Sequence, residues 1–297
     1  MDAPTLSYDL CVVTFIDILG FRAIVQRDNP ISIFKRLTAM RRINGIDEPD
    51  EELSFHAFSD SIVRVRRIRG SVSEAVGLEA NDIGLAQMDL FHEGVLIRGG
   101  LTVGQCYGDR NIVFGPAVIR AYDIESNLAK HPIVAIDPEV RRDIDMVQEF
   151  PNRLNRMKGL GPLIAVGEEG ETWVDYLSIS RQELDEDADV LEGLAQHKVI
   201  IDRGLSLYDE PRIRSKYEWL AAYHNNFCMG YAHIDTLPLL VRAGLTAMAT
   251  VALQERIREW RKRPYGETHD ICGSEHDGRE EDDFGEEDHR NLEKLKS

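Results

Sequence analysis

Two acidic residues, each closing an apolar run, carry the strongest chemical signal in the sequence. Asp17 lies at the centre of Phe15-Ile16-Asp17-Ile18-Leu19-Gly20-Phe21, and Asp60 lies in the stretch Phe58-Ser59-Asp60-Ser61-Ile62-Val63. An unpaired carboxylate at the end of a buried strand is costly unless a cation or a proton meets it. A shared metal ion is the simplest remedy. Without one, two carboxylates about 4 Å apart repel by roughly 1 to 4 kcal/mol between near-surface and water-like dielectrics, and one of them is pushed to hold its proton.

The elements that must position this pair can be read from periodicity. Cys11 to Ile16 is a continuous β-branched and aromatic run, as expected of a central strand covered on both faces. Gly20 opens a turn into helix, and helical spacing runs from Ile31 to Ile43. Leu53 to Phe58 and Ser61 to Arg66 read as a hairpin that turns at Ser59 and Asp60. A helix is expected from Gly70 to His92, then a strand from Leu96 to Val103 with Arg98 and the pair Gly99-Gly100, and a short strand from Asn111 to Phe114. Gly115-Pro116 starts a helix, Ile133 to Ile136 is a strand, Pro138 to Phe150 a helix, and Thr172 to Ile179 a closing strand rich in aromatic and branched residues. The order predicts an α+β sheet with a ferredoxin-like βαββαβ core and helices on one face.

Beyond Arg181 only helices are expected: Glu183 to Arg203, Ile213 to Met229 and Leu237 to Arg261. Trp219, Tyr223 and Phe227 recur at helical spacing and read as core of this appendage. The division follows as a catalytic unit over 1–180, a helical C-terminal region over 181–263 and an acidic, disordered tail over 264–297. Glu267 to Ser297 holds 12 acidic and 4 basic residues, nearly half of the formal net charge of −17. Such a charge argues against a surface that coats nucleic acid, whose affinity comes from clustered Lys and Arg. A metal-bound nucleotide remains compatible. The four cysteines, Cys11, Cys106, Cys228 and Cys272, form no CxxC pair or short-spaced framework, and neither a signal peptide nor a membrane span is evident, so a cytoplasmic protein is expected.

The motif around Asp17 resembles the F-x-D-I-x-G-F signature that opens the catalytic domain of class III nucleotidyl cyclases. The resemblance continues in order through Asp60 in FSDSIV, Arg98-Gly-Gly-Leu-Thr-Val-Gly104, the helix Gly115-x-x-Val118-x-x-Ala121-x-x-x-Glu125, and a closing hairpin over residues 156–177. It implies that Asp17, the Ile18 carbonyl and Asp60 hold two divalent ions, Mn²⁺ or Mg²⁺, while Phe15, Leu19, Gly20 and Phe21 form the turn that meets a triphosphate. Lys158 is the nearest candidate for the phosphate-binding cation of the hairpin. His56, four positions before Asp60, takes the place of a base-reading lysine.

Departures from the purine-cyclase pattern are informative. Ile119 and Asp123 replace the asparagine that orients the ribose and the arginine that stabilises the transition state, and Ile112 replaces a base-reading acid. A buried donor or acceptor left without its partner costs about 1 to 3 kcal/mol, so the usual purine site is not expected. The combination resembles the Pycsar pyrimidine cyclases of bacterial antiphage defence, which implies conversion of UTP, ahead of CTP, to the 3′,5′-cyclic monophosphate and pyrophosphate as a second messenger. Arg98, Arg120 or Tyr122, delivered by a second subunit, would replace the missing arginine, and a head-to-tail homodimer with two equivalent sites is implied. Two other readings stay open: an adenylate or guanylate cyclase with an altered base pocket, and an inactive cyclase-like module that binds nucleotide. A phosphodiesterase would need a His/Asp-rich metal cage that the sequence lacks.

Overall fold

The computed structural model describes residues 7–43, 53–109, 111–146, 163–167 and 170–262. At its centre is an eight-stranded mixed sheet of β1 (Asp9–Ile18), β2 (Leu53–Phe58), β3 (Ser61–Arg67), β4 (Ile97–Gly108), β5 (Val113–Phe114), β6 (Val134–Ile136), β7 (Ile164–Val166) and β8 (Thr172–Val174). Its order is β2-β3-β1-β4-β6-β8-β7, with β5 paired to β4. Around it lie α1 (Phe21–Arg27), α2 (Pro30–Ile43), α3 (Val72–His92), α4 (Pro116–Asn127), α5 (Pro138–Met146), α6 (Tyr176–Glu183), α7 (Asp187–Leu207), α8 (Pro211–Gly230) and α9 (Ala247–Arg261). The class is α+β, with a helical C-terminal region.

The continuous apolar run of β1 is explained by what covers it. Val12, Ile16 and Ile18 point into a core shared with Val76, Ala80 and Ile83 of α3, whereas Cys11 and Val13 point to the opposite face with Ala117 and Ala121 of α4. Each fully buried aliphatic side chain contributes on the order of 1.5–3 kcal/mol, so both faces drive assembly. Helices therefore cover both faces of the sheet, not one as expected. The cause is Gly100: a Cβ there would stand 2.3 Å from the Ala121 carbonyl, so its absence lets α4 lie directly on β4.

Under α3 sits a charged cluster. Glu79, fully buried, accepts hydrogen bonds from Thr14 Oγ1 at 2.9 Å, Arg64 Nε at 2.8 Å and Arg66 Nε at 3.1 Å. Burial pushes its pKa up, but the two guanidiniums outweigh burial and hold it below the usual carboxylate range. Glu79→Ala is expected to cost about 3–5 kcal/mol, because it leaves two guanidiniums of β3 without their principal buried carboxylate. The urea midpoint of unfolding checks this, and a change below about 1 kcal/mol would contradict it.

The closing segment departs from expectation. Only Thr172–Val174 is strand; Asp175 then caps α6, accepting hydrogen bonds from Ser178 N at 3.3 Å and Ser178 Oγ at 2.7 Å. The branched and aromatic residues read as strand, Tyr176, Leu177 and Ile179, are instead the buried face of that helix. Since α6 crosses residue 180, it ties the sheet to the later helices. The third late helix also starts later than expected. Leu237–Leu239 is a short 3-10 turn, and Gly244, at φ 66, bends the chain before α9 begins at Ala247.

Trp219 does more than pack the appendage. It stacks on His131 at 5.0 Å and meets Trp173 of β8 edge-on at 5.6 Å, fastening α8 to the sheet. A buried hydrogen-bond chain makes a second fastening, linking Tyr176 Oη to His197 Nε2 at 2.8 Å, His197 Nδ1 to His224 Nδ1 at 3.0 Å, and His224 Nε2 to the Leu239 carbonyl at 3.1 Å. Because a carbonyl only accepts, every proton in the chain is fixed: His224 donates from Nε2, His197 from Nδ1, and Tyr176 from its hydroxyl. Burial lowers both imidazole pKa values, that of His224 to about 4, so both rings are neutral.

No helix among the described residues is long and apolar enough to cross a membrane. Cys11, Cys106 and Cys228 are buried free thiols. The acidic segment 264–297, Lys158, and the ends of the expected helix at Phe150 and hairpin at 156–162 lie outside the described residues.

Candidate active site

The register of three strands brings the chemistry of β1, β3 and β4 to one level of the sheet. Asp17 stands opposite Ser61 on one side and Arg98 on the other, and all three share the face on which α4 lies. Asp60 occupies the hairpin tip next to Ser59, whose φ of 56 makes the tight turn, and its carbonyl accepts a hydrogen bond from Ile18 N at 3.2 Å. That bond locks the tip of the hairpin to the end of β1. The hairpin tip consequently brings Asp60 close enough to act on the carboxyl of Asp17.

Two carboxylates this close cannot both ionise freely. The Asp17 pKa is pushed up to about 7, first by burial, then by the charge of Asp60 and by the hydrogen bond with it; a hydrogen bond from Ser61 Oγ at 3.1 Å partly offsets the rise. Asp17 thus holds its proton up to near neutrality.

Arg98 and Glu125 complete the cluster. Arg98 Nη2 lies 3.7 Å from Asp17 Oδ2, and its Nε lies 2.5 Å from Oε1 of the buried Glu125 on α4, in an ion-pair contact not aligned as a hydrogen bond. Nothing in the spacing of Arg98 and Glu125 signalled this pairing. Only the close approach of α4 over Gly100 creates it, and the Gly99-Gly100 pair was the available clue. Phe15 lies beside the same level and meets Tyr122 of α4 edge-on at 5.4 Å.

Arg120 is placed elsewhere. Its Nε and Nη2 each donate to Asp137 at 2.8 Å, and Thr102 Oγ1 donates to the same carboxylate at 2.8 Å. Arg120 therefore holds α4 to the start of α5 and does not join the Asp17 cluster of its own chain. Ile119 and Tyr122 are exposed on α4.

At the turn, Gly20 adopts φ 76, a left-handed conformation that glycine enters without strain, and α1 follows at once. Leu19 N donates to the Leu96 carbonyl at 2.8 Å, while the amides of Gly20, Phe21 and Arg22 have no acceptor among the described residues. Phe21 packs its ring against the core, and Ile18 buries its side chain on the α3 face, so both contribute backbone, not side chain, to the turn.

His56 lies on β2 opposite Val63, which puts it on the Asp17 face. Burial lowers its pKa, and a hydrogen bond with the Asp109 backbone partly counters this. Its Nε2 is buried without a partner. Nε2 is thus left for a ligand that reaches this face. Phe58, also on this face, is 84% exposed.

Among the described residues no three His, Cys, Asp or Glu side chains gather where they could hold a metal ion. No protein-family model matches the chain, and no curated protein does. Solved structures do. The guanylyl cyclase Cya2 aligns with 57% of this chain and 93% of its own at 14% identity and a TM-score of 0.39. The guanylyl cyclase domain of the RhoGC fusion protein from the aquatic fungus Blastocladiella emersonii aligns with 57% of this chain and 96% of its own, at 17% identity and a TM-score of 0.38. For the adenylyl cyclase CyaB from P. aeruginosa the shares are 47% and 82%, at 18% identity and a TM-score of 0.35.

Proposed function

We infer that the protein is a metal-dependent nucleotidyl cyclase acting on a pyrimidine nucleoside triphosphate, UTP ahead of CTP, and releasing pyrophosphate. The observation that carries this reading is the placement of Asp17 and Asp60 at one end of β1, with the Asp17 proton held by burial and by Asp60, beside a turn whose amides have no acceptor among the described residues. An all-oxygen donor pair held this close suits Mg²⁺ or Mn²⁺, which are commonly bound by one or two carboxylates plus substrate phosphates. Asp17 and Asp60 would hold the ions, with the Ile18 carbonyl as a further oxygen. When bound, two divalent cations supply Lewis-acid charge that lowers the pKa of the ribose 3′-hydroxyl and neutralises the departing pyrophosphate.

The chain's own groups do the rest. Gly20, Phe21 and Arg22 offer amide protons to phosphate oxygens, and Arg98, already aimed at Asp17, supplies positive charge at the reacting phosphate. Glu125 holds Arg98 in position. His56 offers an acceptor to a base edge. Phe58 and Tyr122 leave exposed aromatic surface around this face, which favours a head-to-tail second copy as its cover. Synthesis of a second messenger in antiphage defence is the role that the sequence resemblance implies.

Incubation with each of the four nucleoside triphosphates and manganese tests the reading. Pyrophosphate and a cyclic pyrimidine monophosphate are expected from UTP. Dominant cyclic AMP or GMP would refute the pyrimidine assignment, and no pyrophosphate from any of the four would leave a nucleotide-binding module without turnover.

A further inference from the structure

Between α9 and the chain that precedes it lies a cavity of about 580 Å³, whose lining does not include Asp17 or Asp60. Leu245, Leu253 and Ile257 form its apolar lining, and Arg242, Arg258 and Lys262 bring three positive charges to it. All three cationic residues are exposed. Neither Arg242 nor Arg258 pairs with an acid among the described residues, and Lys262 only approaches Glu259, at 3.9 Å, with both side chains more than two-thirds exposed. Within a chain of net charge −17, a cationic cluster over an apolar floor calls for an occupant that is acidic and carries an apolar anchor.

The same chain carries such a segment. Residues 280–288 read Glu-Glu-Asp-Asp-Phe-Gly-Glu-Glu-Asp, seven acids around the single aromatic Phe284. Seventeen residues separate Lys262 from Glu280, enough to span about 60 Å when extended, so the segment can turn back onto α9 without strain. We propose that residues 280–288 dock in this cavity, with Phe284 against Leu253 and Ile257 and the flanking acids against Arg242, Arg258 and Lys262. A short tether gives the segment an effective concentration on the order of 1 mM, so a local affinity as weak as about 0.1 mM suffices for roughly tenfold occupancy over release. The inference is independent of the cyclase reading. By filling the gap beside Leu253 and Ile257, the segment braces α9.

Hydrogen–deuterium exchange on the full chain tests the docking. At about 20 mM salt, exchange over residues 280–288 is expected to be roughly tenfold slower than at about 500 mM salt, over which range the Debye length falls from roughly 20 to 4 Å. Phe284→Ala should remove the protection, and so should the pair Arg242→Glu with Arg258→Glu. Adding Asp282→Lys and Asp283→Lys to the reversed pair should restore it, a rescue that a merely misfolded α9 would not give. Equal exchange in the wild type and Phe284→Ala would overturn the proposal. So would protection that rises with protein concentration, which assigns the cavity to a second copy, or laurate binding that is the same with and without Phe284→Ala, which assigns it to a free anionic amphiphile.

Discussion

Asp17→Asn is expected to abolish turnover while making the metal-free protein more stable at pH 8. The stabilising half follows from the proton held on Asp17. The Asp17 carboxyl binds its proton up to about pH 7 in the folded state, against an ordinary value of 3.8. Native protein therefore holds an extra proton between those limits: its contribution to stability is complete below pH 4 and is lost as the pH rises through 7. At about 1.4 kcal/mol per tenfold change in proton affinity, the loss is on the order of 4 kcal/mol for a side chain only 21% exposed. An amide at position 17 does not ionise, so the variant escapes it. The buried pair His197 and His224 pulls the other way over the same range, since their lowered pKa values make stability fall as the pH drops from 6.5 toward 4. Only the difference between variant and wild type isolates Asp17. The melting temperatures of the two proteins should differ by more at pH 8 than at pH 5.

The catalytic half has the opposite sign. Removing one of the two carboxylates proposed to hold the cations is expected to cost several kcal/mol of transition-state stabilisation, or at least about 10³-fold in rate. Manganese should raise the melting temperature of the wild type more at pH 8 than at pH 6, because binding must displace the Asp17 proton, and should leave that of Asp17→Asn nearly unchanged. A residue conserving activity at the expense of apo stability behaves this way; a structural strand-end acid would lose stability on substitution and keep its rate. If the variant melts lower than the wild type at pH 8, the account of the Asp17 proton is wrong.

Why was the carboxylate pair legible and its surroundings not? Asp17 and Asp60 each interrupt a run that must be buried, so the sequence alone exposes the electrostatic problem. β1, β2, β3 and α3 follow for the same reason: their apolar periodicities are long, and Gly20, Ser59 and Asp60 punctuate them. Arg98 and Glu125 lie 27 positions apart, and their meeting depends on how deeply α4 settles over Gly100, a packing result that no local pattern encodes. The partners of Arg120 are likewise a packing result: Asp137 accepts from its guanidinium, and Thr102 donates to the same carboxylate. In Tyr176-Leu177-Ser178-Ile179 the propensities favoured strand, but one capping carboxylate, Asp175, decided for helix. Trp219 was read as interior to the appendage because its spacing matched Tyr223 and Phe227; its actual partners, His131 and Trp173, are distant in sequence.

His56→Ala is expected to lower kcat/KM for UTP by roughly 10- to 100-fold and to leave the residual activity on ATP within about threefold of wild type. The argument rests on the direction of one proton. Burial favours the neutral ring, and the tautomer with its proton on Nδ1 leaves the unpartnered Nε2 to accept. Uracil presents an N3–H donor between two carbonyls, which satisfies a buried acceptor, whereas cytosine presents a bare N3 there and can satisfy it only through its exocyclic amine. A lysine at this position, the usual occupant in the purine cyclases that the sequence resembles, would offer donors alone and repel N3–H. His56→Lys should therefore depress UTP turnover at least as far as alanine does, and it tests the hydrogen-bond direction separately from the space the ring fills. Steady-state rates with UTP, CTP, ATP and GTP for the wild type and both variants decide the matter. An equal loss across all four triphosphates would show that His56 shapes the strand without reading the base, and an unchanged UTP rate in His56→Lys would show that the acceptor at Nε2 is not what the base meets.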